Sequence, residues 1–164
     1  MEVKKEELNR YIAQLEELLA ERTSRLNREV DRRKSAENAL IELIEMYQGV
    51  YDNISNGIAV YKAVENGENF IFVDFNKAAE KIDKINKIDL IRKKVTEAFP
   101  GIEEMGLLSV FKRVYRTGYP ERLETAEYLD GRVSGSRNNF VYKLSTGEIV
   151  AVYEDIDIRS AVSP

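Results

Sequence analysis

The chain has 164 residues, of which 43% are hydrophobic and 33% charged, with a net charge of −4. That is apolar enough for one folded domain with an attached element, and too acidic for the Lys/Arg surplus that nucleic-acid binding requires. With no His and no Cys, the chain has no imidazole base, thiolate nucleophile, disulfide, histidine phosphoacceptor, haem-ligating His or Cys-linked chromophore.

From about Lys4 to Tyr51 there is no Pro, the first Gly is Gly49, and good helix formers dominate. Leu8, Ile12, Leu15, Leu19, Leu26, Val30, Leu40, Ile44 and Tyr47 recur in steps of four and three once Arg22, Arg33 and Glu37 are counted as seam positions. This is heptad spacing and predicts a coiled-coil helix over 1–50. Two consecutive steps of four at Arg22, Leu26 and Val30 form a stutter, which shifts the phase of the supercoil. An amphipathic helix lying on its own domain is the alternative. A helix of this length spans roughly 70 Å, more than so small a domain can cover, so the stripe is expected to pair with a second chain.

Beyond Tyr51 the texture changes. Asp52 to Gly57 is turn chemistry. Strands are predicted at Ile58–Val64 and Phe70–Phe75, joined by a hairpin turn at Glu65–Asn69. Asn76 is suited to cap a short helix through Ile82, followed by short helices at Lys87–Arg92 and Thr96–Phe99. A longer helix is predicted over Glu103–Thr117, ended by Gly118 and Pro120. Three strands should follow, at Arg122–Leu129, Asn139–Leu144 and Glu148–Ile156, with a Gly/Ser/Asn-rich loop over Asp130–Asn138. The expected fold class is therefore α+β: a five-stranded antiparallel sheet with helices on one face, over 51–158, with 159–164 as a tail.

Several strings within this domain resemble PAS domains. They are Asn56-Gly57-Ile58-Ala59-Val60, Phe72-Val73-Asp74-Phe75-Asn76-Lys77-Ala78-Ala79, Phe99-Pro100-Gly101-Ile102, Arg116-Thr117-Gly118-Tyr119-Pro120 and Glu154-Asp155-Ile156-Asp157-Ile158-Arg159. In the last, Asp157 stands where the family usually has Thr or Ser. The stretches Ala20–Leu26 and Arg32–Leu40 are similar to the signalling linkers before PAS domains of sensor histidine kinases. The resemblance implies a sensory module in a two-component system, a parallel homodimer, and signalling between domain and helix to a histidine kinase or other effector. It also implies a ligand between the inner sheet face and the helices.

By motif position, the resemblance implies that Ala59 and Tyr61, Val73 and Phe75, and Ala151 and Tyr153 face inward, and strand alternation adds Tyr142. Tyr142 is included because Phe140, Tyr142 and Leu144 form the apolar side of their strand. Tyr61, Phe75, Tyr142 and Tyr153 form the candidate pocket for an aromatic or carboxylate ligand. Aromatic residues at strand alternation serve core packing as readily. No cofactor is identified: non-covalent flavin is compatible but unsignalled, and no metal site is expected. No segment has the roughly 18 apolar residues of a membrane span, and the charged N-terminus is unlike a signal peptide, so membrane insertion is not expected and a cytoplasmic location is. The leading expectation is a non-enzymatic sensor or relay. Its rivals are a ligand-free interaction scaffold and, less favoured, a small enzyme using carboxylates.

Overall fold

The computed structural model describes residues 2–129 and 134–156. The chain divides into two compact units, Met1–Gln48 and Gly49–Pro164. Helix α1 runs unbroken over Glu2–Asn53. Its uniform stretch of helix formers explains the absence of a break. All nine predicted stripe residues are exposed on the single chain, as are Leu18, Ile41, Leu43, Met46 and Val50. Near its C-terminal end the helix is thus apolar on more than one side.

The second unit is built on strands β1 (Gly57–Val64), β2 (Asn69–Phe75), β3 (Glu121–Leu129), β4 (Ser134–Lys143) and β5 (Ile149–Ile156), in the antiparallel order β2-β1-β5-β4-β3. Between β2 and β3 lie helices α2 (Lys77–Asp83), α3 (Lys87–Leu90), α4 (Val95–Ala98) and α5 (Leu107–Thr117). The expected sheet with its helical layer is present.

The core forms where α5 meets the inner sheet face. Leu107, Leu108, Val110, Phe111 and Val114 are buried, and Phe111 packs edge-on to Phe70 at 5.5 Å and against Tyr61 at 4.7 Å. Ring contacts of this kind add to the burial of apolar area. The outer edge of β2 is paired at its middle, where Phe72 donates to Lys93 O and accepts from Arg92 N. That leaves fewer unpaired groups to template aggregation.

Three expectations require correction. The helix expected from Glu103 begins only at Leu107, because Gly106 takes φ +79°, which no right-handed helix can include. Val73 does not face inward and is 43% exposed. Tyr61 pairs with Phe72 while Val60 pairs with Asp74, so a bulge at Val73 changes the parity of β2 and turns Phe72 and Phe75 to the core. Finally, Ser134–Asn138 belong to β4, hydrogen-bonded to β3 on one side and, from Ser136, to β5 on the other. The remainder of the predicted loop, 130–133, and the string from Asp157 with the tail 159–164 lie outside the described residues.

Candidate functional site

The parity of β4 decides the site. Arg137, Asn139 and Val141 are the buried, inward residues, at 5%, 4% and 0% exposure. Phe140 and Tyr142 alternate with them and lie on the opposite face, with ring centroids 5.6 Å apart. Arg122 places its guanidinium 4.8 Å from the Phe140 ring centroid. Tyr142 is therefore not in the candidate pocket. Its strand reads as apolar on one side, but that side is the outer one, and the inner side carries an arginine and an asparagine.

Arg137 is tolerated inward because it meets a counter-charge. Arg137 Nη1 lies 2.5 Å from Asp83 Oδ1. Tyr153 Oη donates to Asp83 Oδ2 at 2.5 Å, and the Arg137 guanidinium stands 5.6 Å from the Tyr153 ring centroid. Asp83 is the last residue of α2 and is 4% exposed. A buried charge needs such a counter-charge and hydrogen bonds to be sustained. Burial first, and then the Asp83 carboxylate, raise the Tyr153 hydroxyl well above the ordinary phenol value, so it remains a donor. The same two causes, in the same order, raise Tyr61, with Arg137 acting in the opposite direction.

Beside this cluster is a cavity of about 30 Å³. Its polar lining comes from Tyr61, Asp83, Arg137, Asn139 and Tyr153, and its apolar lining includes Val95, Phe99, Ile102, Leu107 and Ala151. Of the four pocket candidates, Tyr61 and Tyr153 line it. Phe75 is a buried core residue that packs edge-on to Phe72 at 6.0 Å and is not among the lining residues. Gly57 admits the Tyr153 ring, since a Cβ there would stand 2.7 Å from Cε2.

Asp83, Arg137 and Asn139 escaped sequence reasoning. Asp83 lies one residue past the predicted end of its helix, and Arg137 fell in a segment expected to be loop. The alternation Arg137, Asn139, Val141, taken as an inward row, could have nominated Arg137 and Asn139, and nothing local marks Asp83.

Asn76 does more than cap α2. Its Oδ1 accepts from Ala79 N and Ile58 N, each at 2.9 Å, and its Nδ2 donates to Tyr51 O and Asn56 O, each at 3.0 Å. The side chain is fully buried. It joins the last turn of α1, the start of β1 and the first turn of α2. Among the described residues no group of three or more acidic side chains is arranged to hold a metal ion, and no helix is long and apolar enough to cross a membrane.

No protein-family model matches the chain, and no curated protein matches it. Solved structures do. A domain of the sensory box sensor histidine kinase/response regulator from Geobacter sulfurreducens matches at TM-score 0.55 and 16% identity, over 71% of this chain and 96% of that one. The PAS domain of the HTR-like protein from Haloarcula marismortui matches at TM-score 0.54 and 17% identity, over 75% and 99%. The LOV protein of Rhodobacter sphaeroides matches at TM-score 0.58 and 8% identity, over 73% and 70%. The second unit of this chain has the PAS fold, as its sheet order, helical layer and sequence strings together indicate.

Proposed function

We propose that the chain is a cytoplasmic, dimeric, non-enzymatic sensor or relay, in which the occupancy of the inner cavity is passed through α2 to helix α1. One observation carries the reading. A single seven-residue helix holds Asp83 at the cavity and, through its capping residue Asn76, grips the Tyr51 carbonyl in the last turn of α1. A shift of Asp83 on ligand binding would be felt at that carbonyl, because a helix this short moves as a rigid element. The likeness to domains of sensor histidine kinases supports a histidine kinase or comparable effector as the partner, reached through a parallel coiled coil of two α1 helices.

The test is a thermal-shift screen of amides, carboxylates, aromatics and flavins. At least one class should raise the melting temperature, by up to the equivalent of about 2.7 kcal/mol at a hundredfold excess over Kd. Tyr61→Ala or Tyr153→Ala should abolish that shift while leaving a folded protein. The small volume of the cavity favours a second reading, a ligand-free interaction scaffold. On that reading no compound of any class shifts the wild-type protein, and both substitutions act only as core truncations of about 3–5 kcal/mol.

A further inference from the structure

Arg137 is the group that would ordinarily attract a buried anion, but its charge already has a counterpart. Asp83 stands 2.5 Å away, and Tyr153 donates to the second oxygen of the same carboxylate. The Asp83 carboxylate thus stands at the cavity beside the Arg137 guanidinium. A further carboxylate would bring a second negative charge beside Asp83, away from water, where such charges interact most strongly.

Asn139 is different. It lines the cavity, is 4% exposed, and its Nδ2 is buried without a hydrogen-bond partner. A buried donor left unmade is costly, and an acceptor placed beside it recovers that cost. The cavity's apolar lining includes Val95, Phe99, Ile102 and Leu107. The volume of about 30 Å³ corresponds to about two water molecules or a solute of a few non-hydrogen atoms. It is far too small for a flavin in this state.

We propose that the cavity takes a small neutral molecule whose carbonyl or amide oxygen accepts from Asn139 Nδ2 and whose alkyl part packs on the apolar wall. The site discriminates against the carboxylate of the same shape. This rests on the sensor reading of the cavity and replaces the aromatic or carboxylate ligand expected from sequence.

Acetamide and acetate are suitable probes, being nearly isosteric and differing in charge. Each is titrated at matched concentration into the ¹⁵N-labelled full chain, following the Asn139 side-chain amide and the backbone amides of Phe99 and Ala151. Acetamide should produce saturable shifts at all three, and acetate should bind at least about tenfold more weakly. Asn139→Leu, checked for a retained wild-type spectrum elsewhere, should lose the acetamide response. Should that variant not fold, Asn139→Ser, which shortens the side chain and removes the amide, should weaken it. Acetate binding as tightly as acetamide would overturn the ligand class and leave the sensor reading standing. So would silence from both probes if another compound shifted the melting temperature. Silence from both probes and from the entire thermal screen would overturn the two together.

Discussion

The fold alters the chemistry of Tyr153 and Tyr61 strongly. Both hydroxyls are held protonated above the ordinary phenol value of 10.0, by burial and by Asp83. In the unfolded chain they ionise near that value. Above about pH 10 the unfolded state therefore releases protons that the folded state retains, so stability falls as pH rises. Below that pH these two groups add no slope. The fall should approach about 1.4 kcal/mol per pH unit for each tyrosine. Urea unfolding between about pH 9 and pH 11 measures it, and Tyr153→Phe should remove its share of the slope. An unchanged slope in that variant would show that Tyr153 titrates alike in both states. At this scale Tyr61 and Tyr153 were legible from their motif positions. Asp83 and Asn139 were not, because a buried polar residue looks like a surface one until its partner is known.

Elements are placed by local chemistry and then adjusted by packing. The turn joining β1 and β2 holds Gly67 at φ +85°, where an added Cβ would collide with the ring of Tyr115. That ring cannot easily retreat, since it packs edge-on to Phe70 at 6.1 Å and lies under the Lys143 ammonium at 4.5 Å. Gly67→Ala should destabilise the domain by about 2–4 kcal/mol, from left-handed backbone strain and overpacking together. Chemical denaturation is the measurement, and a cost under about 0.5 kcal/mol would mean that turn and ring relax freely. The turn itself was predictable from Glu65-Asn66-Gly67. The bulge in β2 was not, because Phe70, Phe72, Val73 and Phe75 are all apolar and carry no mark of which one is extra.

For the whole molecule the outstanding question is what covers α1. Its 52 residues span roughly 78 Å, and Leu15 and Leu19 are 53% and 64% exposed on the single chain. In a parallel dimer both would be buried, so Leu15→Asp with Leu19→Asp should weaken association by several kcal/mol, each chain placing unpaired charge in an apolar seam. Sedimentation equilibrium at tens of micromolar should find the parent protein dimeric and the variant dissociated. A monomeric parent would refute the coiled coil.

The sequence by itself determined the long helix, the α+β order of elements and the PAS-like fold. The helix and the order of elements follow from patterns that repeat over many residues, namely heptad spacing, strand alternation, and Gly and Pro at turns, and the PAS-like fold from the resemblance of several strings in the right order. Only the tertiary structure decided which face of β4 is inward, and with it the character of the cavity. Both faces of that strand carry residues a core can accept, and the inner one is polar because Arg137 finds Asp83, 54 positions earlier in the chain. Such a pairing depends on how two distant elements dock, and no local spacing encodes it.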